Sequence, residues 1–215
     1  QVILNPRGWY AAHGIRRHLG AGVTNVDRAG QRVRAETADV QVIEARYDRL
    51  LIATGSTPFI PPLPGRELEG VISYRDIADT EAMIEAARTH RHAVVIGGGL
   101  LGLEAANGLK LRGMKVTVVH LAPWLLDRQL DPQAARLLQR SLESRGLNFR
   151  VHTQTEALLA GEGEAASRVR AVRFKDGSEV PADLVVMAAG IRPNTGLAGR
   201  MGLHCNRGIV VSDTM

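Results

Sequence analysis

The pattern of apolar and polar residues divides the chain into two regions. In the first, short alternating stretches predict an antiparallel meander of three strands, separated by Gly30 and by a polar stretch at 36–39. A short helix is predicted before the meander, and a continuous apolar stretch after it predicts a strand buried on both faces. The helix spans 8–19, and the four strands span 23–27, 32–35, 40–44 and 50–53.

The second region alternates helices and strands, as α/β proteins do. Apolar residues recur at helical spacing in three segments, and four short apolar segments predict the buried strands of a parallel sheet. A stretch at 156–181 predicts a second antiparallel meander, with its hairpin turn at 175–178. The predicted helices are 80–89, 100–111 and 131–145, and the predicted strands are 93–96, 115–119, 149–152 and 184–188.

A proline-rich segment separates the two regions. Residues 58–65 contain four prolines, which exclude a helix and a central strand because proline fixes φ and lacks an N–H donor. We therefore predict a stiff crossing segment and a domain boundary at this point.

Composition argues against a disulfide-rich protein, a cysteine-ligated iron–sulfur protein and a membrane-spanning protein. The chain has 215 residues, of which 45% are hydrophobic and 23% are charged, an ordinary globular composition. Its single cysteine, Cys205, excludes a disulfide framework or a cysteine-rich iron–sulfur site within these residues, and the seven histidines lack metal-ligand spacing. No apolar run approaches the roughly 18 residues that cross a membrane. We expect a cytoplasmic protein with no membrane partner and no bound metal.

The charge argues against nucleic-acid binding. The net charge is +5, but the 27 basic side chains are dispersed, whereas a surface that follows phosphates should be clustered. A diffuse positive field that attracts anionic nucleotides is the more modest interpretation.

Because the chain opens at Gln1 with an apolar stretch, we expect it to be part of a longer protein.

The strongest chemical signal is a glycine-rich turn after strand 93–96. Gly97, Gly99 and Gly102 have the G-x-G-x-x-G spacing, in which the glycines allow a tight turn, the approach of a pyrophosphate, and close packing of helix on strand. The following helix directs N–H donors at that pyrophosphate. A glycine turn of another doubly wound fold, such as a methyltransferase, is the alternative. The residues predicted to bind NAD(P)H here are Gly97, Gly98, Gly99, Leu100, Leu101 and Gly102.

The residue that contacts the adenosine ribose should lie about 20 positions further on, at the end of the next strand. That position is His120, and a histidine lacks the carboxylate that would reject the 2′-phosphate of NADPH. We therefore expect NADPH to be tolerated, with Arg128 supplying further positive charge. The alternatives are that His120 only caps the strand edge and that Arg128 is a solvated surface residue.

Two further strand ends complete a family pattern. Ala53-Thr54-Gly55 ends strand 50–53, and an Ala-Gly-Ile-Arg-Pro-Asn sequence at 189–194 follows strand 184–188. With the glycine-rich turn, the meanders and the proline segment, the chain resembles the flavin-dependent pyridine nucleotide reductases that have two dinucleotide-binding domains. It is most similar to the flavoprotein part of NAD(P)H-dependent assimilatory nitrite reductase large subunits, in the stretches 4–10, 47–56, 97–105, 118–123 and 127–131.

The resemblance implies a Rossmann-like FAD/NAD(P)-binding fold of the α/β class. A complete NAD(P)-binding domain at 66–189 would contain a parallel sheet and an antiparallel meander, and 1–65 with 190–215 would form an incomplete FAD-binding domain. Members of the family also have a separate FAD fingerprint, which does not occur among these residues. We therefore expect FAD in the full-length protein but not on this chain alone.

The resemblance also implies roles for individual residues. Glu104 would lie where the nicotinamide meets the flavin, and Gly190 and Ile191 would line the same pocket. The alternative for Glu104 is an ordinary helix residue paired with a nearby arginine. The residues implied to contact FAD are Val23, Ala53, Thr54 and Gly55.

The activity implied is hydride transfer from NAD(P)H to FAD, followed by electron release to a metal-centred acceptor for nitrite reduction. The implied partners are the remainder of the same chain, with its FAD fingerprint and its sirohaem and iron–sulfur modules, or a small electron-transfer protein, and a homodimer is allowed. Two other functions stay open: a reductase serving ferredoxin, rubredoxin or a dioxygenase, and a non-enzymatic module that binds NAD(H) and signals redox state.

Overall fold

The computed structural model describes residues 5–214, and the contacts between residues divide the chain into two compact units. The first unit comprises Gln1–Thr57 and Arg192–Met215, and the second comprises Pro58–Ile191. Residues 1–4 and 215 lie outside the described part, and with them the first residue of the 4–10 similarity and both ends of the predicted FAD-binding domain. The assignment of the units to FAD and NAD(P)H stays a prediction.

The first unit is built on a three-stranded antiparallel sheet, which confirms the predicted meander. The third strand begins two residues later than predicted because 37–41 forms a tight turn, in which Val40 has φ 63° and donates its N–H to the Thr37 carbonyl at 2.9 Å. The elements of this unit are α1 (Arg7–Ala12), β1 (Ala21–Asp27), β2 (Arg32–Thr37), β3 (Val42–Arg46) and α5 (Gly196–Arg200).

Two predictions in this unit are wrong. The helix predicted over 8–19 ends at Ala12, because Gly14 has φ 67° and so leaves the helical conformation. The buried strand predicted over 50–53 does not form: Leu51 is 80% exposed, and no strand within residues 5–214 pairs with this segment. Without a neighbouring strand, an extended segment has no ladder of backbone hydrogen bonds.

The second unit combines a five-stranded parallel sheet with helices and an antiparallel meander, which confirms the predicted α/β fold. The parallel sheet has the order β5-β12-β6-β7-β8, and the meander has the order β11-β10-β9. Its helices are α2 (Ile77–Thr89), α3 (Leu100–Leu111) and α4 (Pro132–Glu143). Its strands are β5 (Val71–Ser73), β6 (His92–Ile96), β7 (Lys115–Val119), β8 (Asn148–Arg150), β9 (Thr155–Ala160), β10 (Val169–Phe174), β11 (Glu179–Pro181) and β12 (Leu184–Met187).

Strand β6 lies at the centre of the parallel sheet and is buried on both faces. Ala93 and Val95 belong to a core cluster that includes residues of α2 and α3. Val94 and Ile96 belong to a second cluster, formed with the antiparallel meander and including Phe174. This alternation follows from the two-residue period of a strand. The turn after β6 is therefore anchored from both sides of the sheet.

Some boundaries in this unit differ from the predicted ones. Helix α2 begins three residues early because Asp76 and Asp79 form a capping box. Strand β8 ends two residues before the predicted position, since His152 has φ 50°. The proline-rich segment packs with the second unit: Leu63 lies against its core, and the Pro64 carbonyl accepts the Leu158 N–H at 2.9 Å.

Two short strands lie where the chain passes from one unit to the other, β4 (Ser56–Pro58) and β13 (Ile191–Pro193), and they pair with each other. Of the helices that the structure describes, none is both long enough and apolar enough to span a membrane.

Candidate functional site

The glycine-rich turn joins β6 to α3, and its three motif glycines have different surroundings. Gly97 has φ 126°, and a Cβ atom built there would overlap the Ala188 carbonyl. A Cβ atom at Gly102 would overlap the Gly97 carbonyl. At Gly99, by contrast, no atom lies within 4 Å of an added Cβ. Packing therefore requires glycine at positions 97 and 102 of the motif. Position 99 instead leaves free space beside the backbone.

Gly99 is also the N-cap of α3, and it has no side chain to accept a bond from the first turn of the helix. The first N–H groups of a helix have no intrahelical acceptor and carry its positive dipole end. The side chains of Leu100 and Leu101 flank these groups and are 59% and 36% exposed. The turn thus presents donors and open space together, an arrangement suited to an anion such as a pyrophosphate.

His120 lies directly after β7 and is hydrogen-bonded to the glycine-rich turn. The Gly98 N–H donates to His120 Nδ1 at 3.1 Å, and His120 Nε2 lies 3.1 Å from Asp127 Oδ1. A backbone N–H can only donate, so Nδ1 is the acceptor and the ring hydrogen is assigned to Nε2, which donates to the carboxylate. Asp127 therefore shares a hydrogen-bonded chain with the turn.

Asp127 was not among the residues predicted from the sequence. The available signal was a carboxylate seven residues after His120, but nothing in the linear pattern indicated that the chain folds back. The chain turns back toward the glycine-rich turn at Leu126, which has φ 52° and donates its N–H to the Gly98 carbonyl at 3.0 Å. Arg128 is exposed, and within residues 5–214 it makes no hydrogen bond or ion pair.

Glu104 lies on α3 with its side chain exposed. Among the described residues its carboxylate has no hydrogen-bond or ion-pair partner, so the arginine pairing offered as an alternative is not present. The side chain lines a cleft of about 80 Å³ between α2 and α3, together with Tyr74. An unpaired carboxylate at a cleft is available to a ligand.

Gly190 and Ile191 lie at the same edge of the parallel sheet as the cleft. Tyr74 directly follows β5 and Gly190 follows β12, and these two strands are parallel neighbours. Gly190 has φ 121° and its carbonyl accepts the Phe59 N–H at 2.9 Å, while Ile191 is 49% exposed. In open α/β sheets this carboxyl edge is where ligands bind.

The residues predicted to contact FAD lie in the first unit and are exposed. Thr54 and Gly55 are tied to Asn194: Thr54 Oγ1 donates to the Asn194 carbonyl at 2.6 Å, and the Asn194 N–H donates to the Gly55 carbonyl at 2.9 Å. Gly55 has φ 67° with no atom within 4 Å of an added Cβ, so this turn leaves room for a ligand. Val23 lies on β1 and is 42% exposed, and Ala53 precedes the turn.

A metal centre is not assembled in the part of the chain that the structure describes, since no group of three or more His, Cys, Asp or Glu side chains there could hold an ion.

Comparisons with known proteins place the chain among reductases. The family model described as pyridine nucleotide-disulphide oxidoreductase matches residues 9–215. Nitrite reductase (NAD(P)H) of Bacillus subtilis is 47% identical over all of this chain, which covers 26% of that protein. The nitrite reductase (NADH) large subunit of Escherichia coli is 40% identical over all of this chain, which covers 25% of it. The chain thus spans about a quarter of the length of these relatives.

Solved structures of reductases have a similar fold. A ferredoxin reductase for the CYP199A2 system from Rhodopseudomonas palustris superposes with a TM-score of 0.88 at 28% identity, over 98% of this chain and 50% of that one. A putidaredoxin reductase in a covalent complex with putidaredoxin gives a TM-score of 0.87 at 30% identity, over 98% of this chain and 50% of that one.

Proposed function

The chain belongs to the pyridine nucleotide-disulphide oxidoreductase family, as its motifs predicted, and from this premise we propose that it oxidises NAD(P)H within a flavoprotein that reduces nitrite. The observation that carries the proposal is the open space at Gly99, at the N-terminus of α3. A Cβ there would meet no protein atom, so packing does not explain the glycine, whereas close approach of a pyrophosphate does.

Each group of site residues has a separate task in this proposal. The turn at Gly97–Gly102 holds the pyrophosphate of the coenzyme with backbone N–H groups and the helix dipole. Glu104, Gly190 and Ile191 position the nicotinamide and exclude water from its reacting face. Thr54 and Gly55 hold FAD, which supplies the hydride acceptor when bound.

Glu104 contributes through charge. The nicotinamide ring becomes positive as its hydride leaves, and a carboxylate nearby lowers the energy of that developing charge. The Glu104 carboxylate has no hydrogen-bond or ion-pair partner within residues 5–214, so no contacting side chain neutralises its charge. No proton transfer by a side chain is needed for this step.

The decisive experiment is anaerobic stopped-flow mixing of the FAD-loaded full-length protein with NADH and with NADPH. We expect the flavin absorbance to bleach in a single turnover and nitrite to be consumed under steady-state conditions. Coenzyme binding without flavin reduction would support the non-enzymatic redox-sensing module instead. Absence of coenzyme binding would overturn the proposal altogether.

A second candidate function is electron transfer to a small redox protein. The observation that favours it is the extent of structural similarity to the ferredoxin reductase, which covers nearly the whole chain. Reduction of an added ferredoxin by NADH, without nitrite consumption, would select this function. Nitrite consumption with no added redox protein would select nitrite reduction.

A further inference from the structure

The pair formed by His120 and Asp127 carries an inference about coenzyme choice. We infer that Asp127, held in place by His120, is the residue that selects NADH against NADPH at this site. The inference rests on the proposed function, since it assumes that a coenzyme binds with its pyrophosphate on the glycine-rich turn.

The position of the pair follows from the sheet. His120 is the first residue after β7, the parallel strand beside β6, and is therefore where the ribose of a bound dinucleotide is read. An imidazole alone does not repel a phosphate. Asp127 Oδ1, however, lies 3.1 Å from His120 Nε2, so a carboxylate stands beside the same position although it comes from a later loop.

The hydrogen bonds of the pair are those of a neutral imidazole beside a carboxylate. A proton added to His120 Nδ1 would face the Gly98 N–H, which now donates to that nitrogen at 3.1 Å, and the bond would be lost. The neutral imidazole bonded to an ionised Asp127 keeps both hydrogen bonds. The pair therefore carries a net charge of −1, which would repel a 2′-phosphate of charge about −1.5 to −2.

The carboxylate is anchored through the residues that precede it, and its side chain is only partly exposed. Leu125 is fully buried and Leu126 is bonded to the Gly98 carbonyl, so the residues directly before Asp127 are fixed to the glycine-rich turn. The side chains of His120 and Asp127 are 14% and 36% exposed. Salt and water screen a partly buried charge less than a fully exposed one.

Within residues 5–214, Arg128 does not pair with this carboxylate. It follows Asp127 in the sequence, but its side chain is exposed and, in the described part of the chain, forms no ion pair with Asp127 or with any other residue. Of these two neighbouring residues, Asp127 is the one that is hydrogen-bonded at the ribose position, through His120.

The test is the Asp127→Asn substitution, with the dissociation constants of NADH and NADPH measured by fluorescence titration of the purified full-length protein. The asparagine carbonyl can still accept the His120 Nε2–H, so the geometry is kept while the charge is removed. We expect NADPH to bind about tenfold more tightly, which corresponds to about 1.4 kcal/mol, and NADH affinity to stay within about twofold. Glu143→Gln, which removes an exposed acidic charge from α4, is the matched control and should change neither constant.

A second measurement needs no variant. Added salt screens repulsion between Asp127 and a 2′-phosphate, so the ratio of NADPH to NADH dissociation constants in the unmodified protein should fall as salt rises. A ratio unchanged both by Asp127→Asn and by salt would overturn the inference while leaving the proposed function in place. If the unmodified protein binds neither coenzyme, the proposed function fails, and the inference fails with it.

Discussion

At the scale of single residues, the glycines of the turn between β6 and α3 separate a binding role from a packing role. A side chain at Gly99 would point into open space, whereas a side chain at Gly102 would overlap the Gly97 carbonyl. Substitutions at these two positions should therefore affect different properties, although both belong to one motif.

Gly99→Val should weaken NADH binding by about tenfold or more, about 1.4 kcal/mol, because the new side chain occupies the space of the pyrophosphate. The fold should stay intact, with a loss of unfolding free energy below about 1 kcal/mol from the poorer N-cap. Titration calorimetry and thermal unfolding measure the two effects. Gly199→Val in α5, where an added Cβ also meets nothing within 4 Å, is the control and should leave binding unchanged. Normal NADH binding by Gly99→Val would contradict the prediction.

Gly102→Ala should instead lower the unfolding free energy by about 1–3 kcal/mol, because α3 must move away from the Gly97 carbonyl. Denaturant unfolding followed by circular dichroism measures this loss. We expect NADH affinity to fall together with stability. A variant of full stability that no longer binds NADH would show that Gly102 acts at the ligand and not in packing.

Glu104→Gln should slow flavin reduction by NADH about tenfold in the FAD-loaded protein, because the amide keeps the shape of the side chain but lacks the charge. NADH affinity should stay within about twofold. Stopped-flow absorbance measures the rate, and Glu81→Gln, an exposed residue of α2, serves as the control. An unchanged rate would remove Glu104 from the hydride-transfer site.

At the scale of elements, the neighbouring strands β6 and β12 of the parallel sheet are joined at their amino ends by Asp183. Its carboxylate accepts the backbone N–H groups of His92 at 2.8 Å and of Arg91 at 3.0 Å, just where β6 begins and before β12. Partial burial by itself would raise the pKa of Asp183, but these two hydrogen bonds, together with the electrostatic attraction of His92 and His90, outweigh it and hold the pKa below its ordinary value. The ionised carboxylate therefore stabilises the start of the sheet.

The sign of the pH dependence follows from the lowered pKa. The stabilisation is present above the unfolded aspartate pKa of about 3.9 and is lost as the pH falls below it toward the folded-state pKa. Asp183→Asn should lower the unfolding free energy near neutral pH by about 1 kcal/mol, since the carboxylate is partly exposed. Urea unfolding across the acid range should show the difference from the unmodified protein shrinking below that pH. A difference that does not depend on pH would contradict this account.

At the scale of the whole molecule, the hydrophobic core is distributed unevenly between the two units. Among the described residues of the first unit, only Val26, Ala35 and Ala198 are buried hydrophobic residues, whereas the second unit contains two extended core clusters. Burial of apolar surface is the main source of folding free energy. The second unit should therefore be the more stable one.

Hydrogen exchange should reveal this difference directly. We expect the amides of β6, β7 and β12 to exchange only when the second unit unfolds, and those of β1, β2 and β3 to exchange at least about tenfold faster after correction for intrinsic rates. Mass spectrometry of peptic peptides from the native protein measures both sets together. Equal protection of the two sheets would mean that contacts other than apolar burial stabilise the first unit.

The sequence by itself determined the elements whose signals are local. The alternation of strands and helices over β6, α3 and β7 follows from apolar periodicity, and the glycine-rich turn follows from the spacing of three residues between a strand and a helix. The hairpin turn at 175–178 is equally local, since the Phe174 N–H bonds the Ser178 carbonyl across it and Gly177 has φ 81°. Each of these signals lies within a few residues of the feature that it predicts.

Only the tertiary structure decided the features that depend on residues distant in sequence. The apolar stretch 50–53 has the composition of a buried strand but no partner strand in the described chain, and composition does not report a partner. The pairing of Asp127 with His120 needs a left-handed residue at Leu126 and a bond to Gly98, which lies 28 positions earlier in the chain. Such contacts arise from the packing of the loop on the turn after β6. The charge beside the predicted ribose position was therefore set by folding and not by the residue type at position 120.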